Sequence, residues 1–105
     1  MAEGFTRVAD ATALPPGALL QVRAAGAVLC LANVAGRMYA VSDQCPHERG
    51  ALSRGYVDGD EIVCPGHGML FHPANSTLNA FRVDPSQAPR YQVKVEDGGI
   101  WVARG

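Results

Sequence analysis

The 105-residue chain has 48% apolar and 18% charged residues and a formal net charge of −1 at neutral pH. This length suits one domain with a small core, and the weak charge provides no field that would recruit nucleic acid or an anionic membrane. No apolar run reaches the ~20 residues of a membrane span, and the N-terminus MAEGFTRVAD lacks an apolar signal core. We therefore expect a soluble, cytoplasmic and monomeric protein, with residues 1–105 forming a single domain.

Strand signals dominate the first half of the chain. The segment ADATAL, which precedes the turn signal Pro15-Pro16-Gly17, predicts one short helical turn. Three short apolar runs then follow, and the second and third are separated by a glycine-containing turn. These runs are ALLQV (18–22), AVLCLAN (27–33) and RMYAVS (37–42).

The C-terminal segment YQVKVEDGGIWVA predicts a β-hairpin. Tyr91, Val93 and Val95 alternate with polar residues, which is the period of a half-buried strand. Asp97-Gly98-Gly99 supplies residues that tolerate a tight turn. Because no segment has a sustained 3.6-residue apolar period, the fold class is predicted to be all-β, a small antiparallel β-sandwich or barrel.

Residues 43–72 differ from the rest, since they contain five glycines and a proline directly after each of two cysteines. Cys45 and His47 form a Cys-x-His pair, and Cys64 and His67 form a Cys-x-x-His pair after a gap of sixteen residues. A short hairpin between 57 and 63 would bring the two loops together. We therefore predict a ligand-binding subdomain of two loops at about 43–72.

The two pairs offer two soft thiolates and two neutral imidazoles. Such a set can complete a tetrahedral zinc site, or a 2Fe–2S cluster of Rieske type. A zinc finger usually groups its cysteines together and its histidines together, whereas here each loop supplies one of each. The odd number of cysteines argues against a disulfide framework.

On Cys45-Pro46-His47, the connecting ALSRGYVDGDEIVCP and Cys64-Pro65-Gly66-His67-Gly68, the sequence resembles Rieske ferredoxins of bacterial ring-hydroxylating dioxygenase systems. The resemblance implies one 2Fe–2S cluster, with Cys45 and Cys64 on one iron and His47 and His67 on the other, more exposed iron. It also implies an electron carrier in aromatic hydrocarbon catabolism, not an enzyme. Electrons would come from a flavin-containing ferredoxin reductase and go to a terminal Rieske oxygenase.

Two alternative functions remain open at the level of sequence. The chain could be the Rieske-like small subunit of an assimilatory nitrite reductase, which would hold it in a permanent complex. It could also be a zinc-stabilised binding module with no redox role.

The resemblance further implies a low reduction potential. High-potential Rieske proteins have an extra cysteine in each loop and two hydroxyl groups near the cluster. At the aligned positions this chain has Gly50 and Gly66, and Met69 and Phe71. Since hydrogen bonds to the cluster sulfurs favour the reduced state, their loss predicts a potential near the low end of the Rieske range, about −150 mV.

Several residues near the motif have a structural and a functional interpretation. His72 begins the segment 72–77, where family members commonly have Asp and a Thr-Gly turn; it is interpreted as a surface loop residue rather than a proton carrier or partner contact. Cys30 is interpreted as a core residue rather than a fifth ligand. Trp101 is placed on the outer face of the last strand with a structural role. The acidic group is interpreted as a solvated hairpin tip rather than a recognition site; it consists of Asp58, Asp60 and Glu61.

The histidine side of the two loops is the predicted contact surface for redox partners. We name it the histidine-side tip; besides His47 and His67 it comprises Pro46, Glu48, Arg49, Pro65, Gly66 and Met69. Residues 42–72 have a local charge of −3, and part of this charge is expected on the hairpin between 57 and 63. Charge reversal at Glu48 or Arg49 is predicted to slow electron transfer, and reversal of Arg104, at the other end of the chain, is predicted to do little.

Overall fold

The computed structural model describes residues 4–24, 26–44, 51–64, 70–73, 77–78, 81–82 and 90–104. Over these ranges the secondary structure is antiparallel β-sheet with two single-turn 3₁₀ helices and no α-helix, which confirms the all-β prediction. The strands are β1 (Thr6–Asp10), β2 (Leu19–Ala24), β3 (Ala27–Val34), β4 (Arg37–Ser42), β5 (Tyr56–Asp58), β6 (Glu61–Val63), β7 (Leu70–His72), β8 (Thr77–Leu78), β9 (Phe81–Arg82), β10 (Arg90–Glu96) and β11 (Gly99–Arg104). The helices are η1 (Ala11–Ala13) and η2 (Leu52–Arg54).

The strands form two sheets. The larger has the order β1-β11-β10-β4-β3-β2, and the smaller is the consecutive series β5-β6-β7-β8-β9. The predicted strand runs coincide with β2, β3 and β4, and the C-terminal segment forms the β10–β11 hairpin. Its turn residues Asp97 and Gly98 have φ values of 52° and 71°, as a tight hairpin turn requires. The short helical turn predicted before Pro15 is η1.

Strand β1 was not predicted from the sequence. Its segment TRVAD is half-buried only at Val8 and Ala9 and has a weak apolar pattern. The strand is stabilised by antiparallel pairing with β11, in a register that shifts between Arg7 and Ala9. Long-range pairing of this kind leaves little signal in the local sequence.

Strand β3 is buried on both faces, which explains its continuous apolar sequence. Leu29 and Leu31 face one core cluster, while Cys30 and Ala32 face another, in accordance with the two-residue period of a strand. The first cluster packs under η1 with Leu14, Ile100 and Val102 among its members. The second cluster lies between the two sheets, and its remaining members are Val34, Val41, Leu52, Ile62, Cys64 and Phe71.

Asn33 in β3 connects the segment after η1 to the β3–β4 turn. Its side chain is 5% exposed; Nδ2 donates to the carbonyl of Leu14 at 2.9 Å, and Oδ1 accepts from the amide of Gly36 at 2.9 Å. Both polar atoms of the amide are thus satisfied, as burial requires. The described part of the chain contains no helix with the length and apolar character of a membrane span.

Candidate metal centre

Cys64 is the predicted ligand that the structure describes. It directly follows β6, is 1% exposed, and belongs to the core cluster between the two sheets. The other predicted ligands and tip residues lie outside the described residues: Cys45, Pro46, His47, Glu48, Arg49, Gly50, Pro65, Gly66, His67 and Met69. Among the described residues, no group of three or more His, Cys, Asp or Glu could hold a metal ion. The ligand set therefore stays a prediction.

The surroundings of Cys64 suit a cysteine that ligates a buried metal. Its neighbours in the core cluster include Leu52, Ile62 and Phe71, each at most 1% exposed. Coordination to a metal cation would stabilise a thiolate among such apolar side chains. The donor set of this sequence, two thiolates and two imidazoles, is the one that a Rieske cluster requires. The residues present therefore fit such a cluster.

The structure brings the end of one predicted loop against the start of the other. A Cβ at Gly55 would lie 1.9 Å from the carbonyl oxygen of Val63, so the backbone after η2 contacts the residue that precedes Cys64. Leu52 of η2 and Cys64 also share one core cluster. The hairpin predicted between 57 and 63 is formed by β5 and β6, with Val57 opposite Ile62.

The base of the first loop is closed by backbone contacts. Gln44 and Ala51 form an isolated antiparallel bridge, and the amide of Leu52 donates to the carbonyl of Asp43 at 2.7 Å. The residue at which the chain leaves the larger sheet is therefore paired with the residue at which it enters η2. In the sequence, the predicted ligands Cys45 and His47 lie between Gln44 and Ala51.

Asp43 is the residue at this base that sequence reasoning did not single out. It is 3% exposed, and its carboxylate accepts hydrogen bonds from Gln21 Nε2 (2.6 Å), Ser53 Oγ (2.9 Å) and the Ser53 amide (2.7 Å). Its own amide donates to the carbonyl of Val28 at 3.0 Å. In the sequence, Asp43 is only one of the five acids of 42–72. Its position two residues before Cys45 is the feature that could have indicated a role beside the site.

The sequence interpretation of His72 as a surface loop residue is wrong, because His72 belongs to a strand. It ends strand β7, its side chain is 21% exposed, and its Nε2 lies 3.1 Å from Oδ2 of Asp60. Its Nδ1 is buried and has no hydrogen-bond partner among the residues that the structure describes. Pairing with β8 opposite Thr77 accounts for the strand conformation, which the polar, proline-containing sequence did not indicate.

The other structural interpretations hold. Cys30 is fully buried, and burial, together with the nearby charge of Asp43, raises the pKa of its thiol well above the usual value. Trp101 is half-buried between the buried Ile100 and Val102, and its Nε1 donates to the carbonyl of Glu96 at 3.1 Å. The acidic group surrounds the β5–β6 turn, where Asp58 and Asp60 are exposed and Glu61 is half-buried.

Residues 4–95 match the family model of the Rieske [2Fe-2S] domain. The chain belongs to the Rieske family. This Rieske protein contains one 2Fe–2S cluster per chain, and its role is that of an electron carrier rather than of a catalytic enzyme. The resemblance predicted from the two Cys/His pairs is thereby confirmed.

Similar proteins place this Rieske protein among ferredoxins. It is 34% identical over 107 residues to ferredoxin CarAc of Metapseudomonas resinovorans, covering 94% of this chain and 92% of the relative. In the solved complex of reduced oxygenase and oxidised ferredoxin of carbazole 1,9a-dioxygenase, one chain matches it with a TM-score of 0.81 and 30% identity. That match covers 97% of this chain and 94% of the other.

A third similarity bears on the nitrite reductase alternative. An NADH-dependent nitrite reductase small subunit from Mycobacterium tuberculosis matches with a TM-score of 0.79, covering 96% of this chain and 95% of that one. The identity is 24%, so this match shows a shared fold alone. Function follows the more similar ferredoxins, because one fold serves several roles.

Proposed function

We propose that this Rieske protein carries single electrons from a flavin-containing ferredoxin reductase to a terminal Rieske oxygenase that hydroxylates aromatic rings. The observation that carries the proposal is the similarity, over nearly the whole chain, to ferredoxin components of dioxygenase systems. The protein would act in the cytoplasm, as a monomer that docks to its two partners in turn.

We further propose that Cys45 and Cys64 bind one iron of the cluster and that His47 and His67 bind the other, within a subdomain at about 43–72. The contact of Gly55 with Val63 and the shared core cluster of Leu52 and Cys64 support this assignment, because they hold the flanks of the two loops together. When bound, the cluster accepts and returns one electron.

The described residues provide the rigid support that such a carrier needs. Leu52, Ile62 and Phe71 exclude water from the Cys64 side of the site. The backbone contacts at Asp43 and Gln44 set the position from which the first loop begins. A site held by two sheets reorganises little when it gains an electron, which suits rapid transfer.

The composition of anaerobically purified protein tests the ligand assignment. We expect two irons and two acid-labile sulfides per chain, a red-brown colour, and an electron paramagnetic resonance signal in the reduced state. Cys45→Ser and Cys64→Ser should each abolish the cluster. Cys30→Ala is the matched control and should retain it, because Cys30 is a core residue away from the two loops in sequence.

Two results would contradict the proposal. One zinc and no iron after expression with ample iron would show a zinc-stabilised module. Constant co-purification with a large partner subunit would instead favour the nitrite reductase reading, because a free carrier elutes alone.

A further inference from the structure

Asp43 combines deep burial with a full set of hydrogen-bond donors. Oδ1 accepts from the Ser53 amide, and Oδ2 accepts from Gln21 Nε2 and Ser53 Oγ. This arrangement suits the ionised carboxylate, which only accepts hydrogen bonds. Among the described residues, no lysine or arginine forms an ion pair with it. The carboxylate is thus surrounded by three neutral hydrogen-bond donors.

The same residue connects the end of β4 to three other elements, β2, β3 and η2. Its side chain links β2, through Gln21, to η2, through Ser53. Its amide donates to Val28 in β3, and its carbonyl accepts from Leu52 in η2. Asp43 therefore determines where the chain leaves β4 to enter the segment that contains Cys45.

Asp43 lies two residues before the proposed ligand Cys45 in the chain. Two residues of chain span at most about 7 Å, so the Cα atoms of Asp43 and Cys45 are no further apart than this. A buried charge is screened little by salt. Its field already reaches the core between the two sheets, where it contributes, after burial, to the raised pKa of the Cys30 thiol.

We propose that Asp43 is a positioning residue that anchors the first cluster loop and that its buried negative charge lowers the reduction potential of the cluster. Reduction adds an electron to the cluster, and a fixed negative charge nearby opposes that addition. The inference rests on the proposed ligation by Cys45. The charge of Asp43 would be a second cause of a low reduction potential, in addition to the predicted absence of hydroxyl donors near the cluster.

The test compares potentials of purified, cluster-loaded variants by protein-film voltammetry. Asp43→Asn keeps the shape and removes the charge, so it should favour reduction by about threefold to tenfold, where tenfold corresponds to about 59 mV for one electron. Ser53→Ala and Gln21→Leu each remove one side-chain donor and leave the Asp43 side chain in place. They should lower the potential, because fewer dipoles then compensate the carboxylate.

Asp97→Asn is the matched control. It removes the same charge from the exposed β10–β11 turn, at the opposite end of β10 from its pairing with Val41. Solvent and salt screen a charge there, so the potential should not move. Melting temperatures measured alongside show how far each change loosens the fold.

The outcomes separate the inference from the function on which it rests. An unchanged potential in Asp43→Asn, or equal rises in Asp43→Asn and Ser53→Ala, would overturn the role of the charge. If Asp43→Asn does not retain its cluster, the reduction potentials of Ser53→Ala and Gln21→Leu provide the test. A potential that rises or stays unchanged in both variants would overturn the inference. Wild-type protein without iron and sulfide would instead overturn the proposed ligand set.

Discussion

Two cysteines of one core cluster have different chemical surroundings. Cys30 lies in the middle of β3 and is fully buried, whereas Cys64 follows β6 at the start of the second predicted loop. Burial raises the pKa of the Cys30 thiol, and Asp43 raises it further. Cys30 therefore remains a neutral core residue, whereas Cys64 is a proposed cluster ligand.

The raised pKa of Cys30 predicts a pH dependence of stability. The thiol of the unfolded chain ionises above about pH 8.5, while the folded thiol stays protonated. The contribution of Cys30 to the free energy of unfolding is therefore complete below that pH and is lost as the pH rises further. At pH 10 the loss should reach about 2 kcal/mol. Denaturant unfolding of wild type and Cys30→Val from pH 7 to 10 measures it. Parallel curves for the two proteins would contradict the prediction.

Phe71 provides a second test at the scale of a residue. It is fully buried in the same core cluster as Cys64, at the position where the family resemblance places a hydroxyl group. Phe71→Tyr should raise the potential from about −150 mV, because a hydroxyl that bonds a cluster ligand or sulfur favours the reduced state. Voltammetry measures the shift. If the hydroxyl finds no partner, the variant should instead lose about 1–3 kcal/mol of stability with no change in potential.

Among the elements, the β5–β6 hairpin is the one that joins the two predicted loops. It pairs Tyr56 with Val63 and Asp58 with Glu61, and its turn carries the exposed acids. Its inner strand β6 ends at Val63, directly before Cys64, and is paired on its other edge with β7. Any shift of β6 against η2 would therefore move a proposed ligand.

Gly55 tests this dependence. A Cβ there would meet the carbonyl oxygen of Val63 at 1.9 Å, so the backbone must shift to admit any side chain. Gly55→Ala should cost about 1–3 kcal/mol or more and reduce cluster retention, measured by thermal unfolding and by iron content. Gly59→Asn is the control on the same hairpin, because its Cβ position is open and Asn tolerates the φ of 63°. Equal stability and iron content in both variants would show that this contact does not support the site.

At the scale of the whole molecule, the distribution of charge differs from the count made on the sequence. Asp43 is buried and bonded internally, so it does not contribute to the surface charge of 42–72. Asp58 and Asp60 lie at the β5–β6 turn. Of the charged residues in 42–72, Glu48 and Arg49 are the two that the sequence assigns to the histidine-side tip, and two opposite charges predict modest rather than strong electrostatic steering.

Docking at the histidine-side tip predicts that Glu48→Lys and Arg49→Glu slow reduction by the cognate reductase in stopped-flow measurements and leave the cluster spectrum unchanged. Salt should weaken the reaction only mildly, because exposed charges separated by more than ~10 Å are screened at 0.1 M. Rates equal to wild type for both variants at every salt concentration would place the contact elsewhere.

The control for this experiment follows from the strand register. Arg104 lies at the other end of the chain, but it pairs with Tyr91, which in turn pairs with Ala40 near the end of β4. It thus belongs to the end of the sheet from which the chain enters the first loop. Asp97→Lys, in the turn at the far end of β10, is the better control and should leave the rate unchanged.

The sequence by itself determined the chemistry and much of the larger sheet. Cys and His at fixed short spacings specify soft and borderline ligands whatever surrounds them, and these pairs identified the family. Alternation along β10 and the long apolar run of β3 reported burial directly, because each residue in a strand faces a predictable side. The Asp97-Gly98 turn followed from local backbone preference in the same way.

Only the tertiary structure decided which polar residues are internal and which ends of strands meet. Asp43 and Asn33 are buried because partners distant in the sequence supply their hydrogen bonds, and His72 is part of a strand because β8 pairs with it. The close approach of Gly55 to Val63 and the location of Arg104 depend equally on strand register. Contacts between distant segments form when the chain packs, and the local pattern of any one segment does not encode its partner.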